Sequence, residues 1–345
     1  LLAQTASLEI SSITEFLRRA LEFSGSNELR MIDEETVFAI TADEGAFGAQ
    51  ALVLVRSIRE HHPESDIVVF IPEMGASAMS KNLLAELEKD TTVEVGPYPD
   101  DDYPITAQLR AFELAAERSG VEQAVMLDTD IVLLDRLSFP AGDAALSARA
   151  CTLRGSFWTH DVSVPVWELL YTRYNISEPE HSISAVLGGE LPYPFYNSAA
   201  VVARDLSLPG RLLELSMKIR ADESADVAEA AGSRTPLFYS DQVALSLLAQ
   251  ETSFATLPLT NNYPVPAFLR VPRSVAGLHY GNRALLSTAL PEHEWDEYAE
   301  LLELDSTPMN WGKRAMSAGW FRVANRLPYR TQTFIRRLAN SRHAP

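Results

Sequence analysis

One cysteine, Cys151, is present among 345 residues, which excludes an internal disulfide framework and any zinc site built from several thiolates. A reducing compartment, the cytoplasm, is therefore the simplest expectation. No apolar run approaches the roughly 20 residues of a membrane-spanning helix. Residues 1–30 are amphipathic and contain acidic residues; they lack the basic-then-apolar order of a secretory signal, so none is expected. Positive charge is also scarce, with 29 Lys and Arg against 47 Asp and Glu and a formal net charge of -18. That balance argues against a nucleic-acid partner, because neutralising phosphates needs a cationic surface. Lysine is the scarcer base, four residues (Lys81, Lys89, Lys218 and Lys313) against 25 arginines. Such a bias fits both a salt-adapted surface and a GC-rich genome. What the chain does have is enough apolar material, 46%, to bury a large core.

The apolar pattern alternates. Ile13, Phe16, Leu17 and Leu21 recur at helical spacing, so residues 1–35 read as a helical lead-in. Thr36 to Thr41 reads as a buried strand, and a helix follows with Leu52, Val55 and Ile58 on one face. Asp66 to Ile71 is a second strand, stopped by Pro72, and Thr92 to Val95 a third; helices over 80–87 and 105–119 flank the latter. Ala124 to Leu127 is a fourth strand, running into Asp128-Thr129-Asp130. Strand and helix in alternation predict a mostly parallel sheet, with ligands beyond the carboxyl ends of its strands. Past residue 150 the pattern loosens; a strand from Ser198 to Ala203 and helices over 209–220 and 240–250 are expected. His61 and His62 end a helix before Pro63, where cationic side chains complement the helix dipole.

Asp128 and Asp130 lie two residues apart at the end of an apolar strand. Paired carboxylates in such a place repel each other and need a compensating cation or donors. Hard oxygen ligands suit Mg²⁺ or Mn²⁺. A pair of solvated loop aspartates is the plainer alternative. A haloacid-dehalogenase-type nucleophile is another, but Val132 stands where that site carries Thr, and the pair follows about the fourth strand rather than the first.

Several segments in order resemble a GT-A-fold glycosyltransferase, most of all glycosyltransferase family eight, the galactosyl- and glucosyltransferase group that includes glycogenin. They are Phe38-Ala39-Ile40-Thr41-Ala42-Asp43, Val53 to Ile58, Arg110, Asp128-Thr129-Asp130, Tyr196 to Val201, Ser240-Asp241-Gln242 and Leu278-His279-Tyr280-Gly281. The resemblance covers about residues 36–285. It implies a GT-A α/β catalytic domain over 36–290 with a Rossmann-like, mostly parallel sheet flanked by helices, and a helical basic tail over 291–345. It also implies that Thr41, Ala42 and Asp43 form the base-binding loop and that Arg110 and Thr129 lie near the donor nucleotide. Asp128, Asp130 and His279 would hold Mn²⁺ or Mg²⁺. Asn197, Asp241 and Gln242 would surround the donor sugar, with transfer retaining anomeric configuration. Two features depart from the family: Ala199 replaces a Gly, and the Lys-Pro-Trp that often follows the His-x-x-Gly stretch is absent. Arg283 is the substitute for the diphosphate contact, one residue out of register.

Each of these residues also has a plain structural reading. His279 fits a packed core histidine, Asp241 an acid near a helix N-terminus, and Asn197 a turn residue. Trp158, His160 and Trp167 are candidates for an acceptor subsite, with core packing the better reading of Trp167. The expected reaction moves a sugar from a nucleoside-diphosphate donor, uridine favoured, to a hydroxyl acceptor. A sugar nucleotidyltransferase is the alternative enzyme, but the loop from Ala42 to Gln50 has no Lys or Arg to hold a triphosphate. A non-catalytic nucleotide-sugar-binding protein is the third reading.

The last positive charges are gathered in one place. Lys313, Arg314, Arg322, Arg326, Arg330, Arg336, Arg337 and Arg342 occur with no Asp or Glu among them. Met316, Trp320, Val323 and Leu327 form one apolar stripe, and Phe334, Ile335 and Leu338 begin another. Basic amphipathic segments suit the headgroups of anionic lipid. Docking on the acidic body of the same chain is the alternative.

Overall fold

The computed structural model describes residues 29–31, 35–140, 142–151, 164–186, 190–222, 239–264 and 271–281. The expected helix over 13–21, Trp158, His160, Arg283 and the basic tail lie outside the described residues.

The elements run, in order, β1 (Leu29–Met31), β2 (Thr36–Thr41), α1 (Ala46–His61), β3 (Asp66–Pro72), α2 (Glu73–Ala78), α3 (Lys81–Asp90) and β4 (Thr92–Gly96). Next come α4 (Thr106–Ala116), β5 (Gln123–Leu127), β6 (Ile131–Leu133), β7 (Ser138–Pro140), β8 (Leu146–Ala150) and α5 (Val164–Arg173). After β9 (Ile183–Ser184) and β10 (Glu190–Leu191) follow β11 (Tyr196–Ala203), α6 (Leu208–Arg220), α7 (Ser240–Leu248) and β12 (Phe254–Thr256). A short 3₁₀ turn (Leu259–Asn261), β13 (Tyr263–Pro264) and β14 (Gly277–His279) complete the described elements.

Seven strands form the central sheet in the order β12-β8-β11-β5-β2-β3-β4. β2, β3, β4 and β5 are parallel, as strand–helix alternation dictates, because each helix returns the chain to the same edge. β12 is parallel to β8, while β11 runs antiparallel to both β5 and β8. The result is the mostly parallel sheet flanked by helices that the family resemblance implies.

The strands are apolar on both faces, as a sheet covered on both sides requires. On one face lie Phe38, Ile40, Val69, Val125 and Leu127, packed with Leu52, Val55 and Ile58 of α1 and Leu83 and Leu87 of α3. On the other lie Val37, Ala39, Val68 and Met126, packed with Leu109 and Phe112 of α4 and with α6 and α7. Trp167 belongs to this second core with Tyr171, Tyr193 and Phe195, so it packs in the interior.

Two expectations are corrected. Leu29–Met31, inside the expected helical lead-in, is a strand paired antiparallel with β7. The pairing satisfies main-chain groups of a strand more than a hundred residues away, which local helical spacing cannot encode. His62 is not a solvated cation at a helix end. It is 5% exposed, and its Nε2 accepts the Leu137 N–H at 3.0 Å. Burial first, and then the charge of Arg136, push its pKa down to about 4, so the ring is neutral.

A smaller sheet, β13-β14-β6, continues from the carboxyl end of β5, the middle strand of the main one, and carries the site. β6 continues directly from the Asp128-Thr129-Asp130 turn, and β14 pairs with it so that His279 lies opposite Ile131. Gly277 makes this possible: a Cβ there would come within 2.1 Å of the Asn261 carbonyl oxygen. Helix α1 holds β6 in place, since Ser57 Oγ accepts the Leu133 N–H at 3.1 Å.

Candidate active site

Asp128 and Asp130 lie just past the carboxyl end of β5, and His279 reaches them from the end of β14. One ligand atom from each lies within 4.8 Å of the others. The turn is fixed by its own backbone. Asp128 N–H donates to Ala199 O at 2.8 Å, Ile131 N–H to Asp128 O at 3.0 Å, and Tyr280 N–H to Asp130 O at 2.9 Å. Thr129 is buried, and its N–H donates to Asp128 Oδ1 at 2.8 Å. The Tyr280 hydroxyl donates to Thr129 O and accepts from Gln50 Nε2, both at 3.3 Å, which ties α1 to the loop.

His279 Nε2 is 3.2 Å from Asp130 Oδ1, yet that buried oxygen has no aligned hydrogen bond among the described residues. Burial drives the pKa of Asp128 up, and the neighbouring charge of Asp130 adds to the push; that of Asp241 contributes a smaller part. For His279, burial opposes the charged ring, but Asp130 and Asp128 outweigh it and raise its pKa. These carboxylates and the imidazole form a negatively charged pocket with an orphaned acceptor. That donor set fits a divalent cation with hard-oxygen and imidazole ligands.

The second half of the site comes from an irregularity in β11. Its pairing with β8 shifts between Asn197 and Val201, so Ser198, Ala199 and Ala200 bulge out. Ala199 O meets Asp128 N–H as the next rung of the regular β11–β5 ladder, while on the β8 side the bulge swings Ser198 toward α7. Asp241, in the first turn of α7, is 2% exposed. Ser198 Oγ donates to its Oδ2 and Tyr103 OH to its Oδ1, at 2.5 and 2.8 Å. Burial raises the pKa of Asp241, and these two hydrogen bonds oppose the rise. Arg220 stacks over the Tyr103 ring at 4.9 Å. Gln242 is 7% exposed and its Oε1 has no hydrogen-bond partner among the described residues.

The expected base loop closes the carboxyl end of β2. Thr41 Oγ1 and Ala42 N–H both donate to Phe70 O, at 3.2 and 2.9 Å. Asp43 accepts from the Tyr98 hydroxyl and, at 2.7 Å, from Glu44 N–H. Gly75 leaves room for the Asp43 carboxylate, since a Cβ there would lie 2.1 Å from Asp43 Oδ1 and push it aside.

The structure thus joins Asp128, Asp130 and His279 by proximity, Asp241 through its charge acting on Asp128, and Asn197 through Asn262, with Thr129 and Gln242 next to them in the chain. Arg110 is not drawn in: its guanidinium pairs with Glu113 one turn along α4. Tyr103 and Asn262 are the residues that sequence reasoning passed over. Tyr103 is 138 positions from Asp241, and Asn262 is 65 from Asn197, so no local pattern marks either one.

A family model described as a Rhodobacterales glycosyltransferase domain matches residues 38–253. No curated protein matches the chain. Among solved structures, the galactosyltransferase LgtC in complex with donor and acceptor sugar analogs is similar at 14% identity and a TM-score of 0.43, covering 81% of this chain and 99% of that one. The glycosyltransferase GlyE of Streptococcus pneumoniae TIGR4, in its apo form, is similar at 13% identity and a TM-score of 0.42, with 85% and 64% covered. The bifunctional glycosyltransferase WbbM gives 14% identity and a TM-score of 0.47, with 84% and 53% covered. The sheet, the site at its carboxyl edge and the family match over most of that region agree: the chain is a glycosyltransferase and belongs to the Rhodobacterales glycosyltransferase domain family.

Proposed function

We propose that the enzyme moves a hexosyl group from a nucleoside-diphosphate sugar, uridine favoured, to a hydroxyl acceptor, with Mn²⁺ or Mg²⁺ held by Asp128, Asp130 and His279. The observation that carries this reading is the convergence of two carboxylates and an imidazole from β5 and β14 within 4.8 Å. A bound divalent cation offsets the charge that develops on the diphosphate as the glycosidic bond breaks. The protein's own part is positioning. Tyr103 and Ser198 lock the Asp241 carboxylate at the mouth of α7, where it holds donor-sugar hydroxyls. The buried Gln242 Oε1 is left to accept from the donor. The loop Thr41-Ala42-Asp43 takes the base, and retention of anomeric configuration follows the family resemblance. The test is incubation with UDP- and GDP-hexoses and Mn²⁺, reading nucleoside diphosphate release. Full activity in excess EDTA would refute the metal role, and pyrophosphate release would point to nucleotidyl transfer instead.

For the acceptor, the basic segment from Lys313 to Arg342 supports a lipid-linked or cell-surface glycan substrate met at the inner face of an anionic membrane. Among the described residues no helix is long and apolar enough to cross a membrane. Co-sedimentation with anionic vesicles should be lost in a chain ending at Asn310. Equal binding by both chains, or by neither, rejects this part.

A further inference from the structure

Asn262 is completely buried, at the end of the 3₁₀ turn that leads into β13. Its amide bridges two residues of the site. Asn262 Nδ2 donates to Asn197 Oδ1 at 2.8 Å, and Asn262 Oδ1 lies 3.2 Å from His279 Nδ1.

The direction of this chain is set by one backbone group. Ala199 N–H, inside the β11 bulge, points at the Asn197 side chain and lies 3.3 Å from its Oδ1. A backbone N–H only donates, so the atom facing it is the carbonyl oxygen of Asn197. The atom of Asn262 facing that same oxygen is then its NH₂. Its own oxygen must face His279. An oxygen there accepts, so the proton of the neutral imidazole sits on Nδ1 and the lone pair on Nε2. Nε2 is the nitrogen 3.2 Å from Asp130 Oδ1. In the neutral ring two acceptors then face each other across the pocket, an arrangement that a proton on Nε2 or a bound cation relieves.

We propose that Asn262 is a positioning residue of this glycosyltransferase: its amide fixes the Nδ1–H tautomer of His279 and the orientation of the Asn197 amide together, coupling the cation pocket to the donor-sugar pocket. The proposal rests on the reading of Asp128, Asp130 and His279 as a cation site. Outer partners that orient a ligating histidine typically change metal affinity 10- to 100-fold when removed.

Two substitutions separate the two ends of the bridge. In Asn262→Asp an oxygen still accepts from His279 Nδ1, but the other oxygen meets Asn197 Oδ1 and the donation there is lost. In Asn262→Ala both contacts go. Nitrogen-15 NMR of histidine-labelled, metal-free protein at a pH where the ring is neutral reads the tautomer directly. Free Mn²⁺ measured by electron paramagnetic resonance reads cation affinity. Wild type should show Nδ1–H at His279. Asn262→Ala should show a mixed tautomer and bind Mn²⁺ about 10- to 100-fold more weakly. Asn262→Asp should keep the tautomer and hold Mn²⁺ at least a tenfold closer to wild type, while its KM for the donor rises or its kcat falls. Nε2–H at His279 in the wild type overturns the proposal. So does an Asn262→Ala protein, folded by its melting curve, with wild-type Mn²⁺ affinity. So does equal loss of Mn²⁺ affinity in both variants. No Mn²⁺ binding by a wild type that does show Nδ1–H would instead remove the cation reading and leave the tautomer assignment standing.

Discussion

Acid should weaken this protein through His62, and the size of the effect can be worked out. The ring is neutral when folded because burial and Arg136 hold its pKa at about 4, against an ordinary 6.5. Above pH 6.5 it is neutral in both the folded and unfolded chain, and its contribution is fully present. Between 6.5 and about 4 the unfolded chain takes up a proton that the folded chain refuses, so stability falls as pH falls. From pH 7.5 to 4.5 the loss is about 2.5 kcal/mol. In His62→Gln the amide oxygen can still accept from Leu137 N–H, but no titrating group remains. Urea unfolding of both proteins at the two pH values reads the difference, because the carboxylates they share cancel. Wild type should lose about 2 to 3 kcal/mol more than the variant. The site should feel it too, since His62 and Ser57 anchor Leu137 and Leu133, which follow directly from the Asp128-Thr129-Asp130 turn. Parallel pH profiles, or a His62 ring that titrates near 6.5 by NMR, would refute the reasoning.

Asp130→Ala removes the buried oxygen that faces His279, and it should abolish transfer while the melting temperature holds or rises; wild-type turnover would contradict the cation pocket. Asp241→Asn should lower turnover strongly, while affinity for the free nucleoside diphosphate, measured calorimetrically, changes little. A large loss of nucleotide affinity would place Asp241 elsewhere. Tyr103→Phe strips one donor from the buried Asp241 carboxylate and should cost about 1–3 kcal/mol together with a drop in kcat. An unchanged melting curve and kcat would show that Ser198 and the backbone N–H groups at the start of α7 suffice to fix that side chain.

Much of the architecture was legible in the chain. The β-branched runs at Thr36–Thr41 and Asp66–Pro72, each followed by a helix, determine parallel strands because a helical return leaves no other geometry. The apolar strand into Asp128 and Asp130 marks the carboxyl edge as the site for the same local reason. Tertiary structure decided the rest. Leu29–Met31 became a strand because β7 offered it a partner. His62 became a neutral acceptor because Leu137 needed one where water is excluded. The three-residue bulge in β11 follows from register against β8 and turns Ser198 to Asp241, while the regular register against β5 sets Ala199 opposite Asp128. Asn262 bonds to residues 17 and 65 positions away. A hydrogen bond between side chains brought together only by folding leaves no periodicity in a sequence, and at this site such bonds orient the groups that the motifs supply.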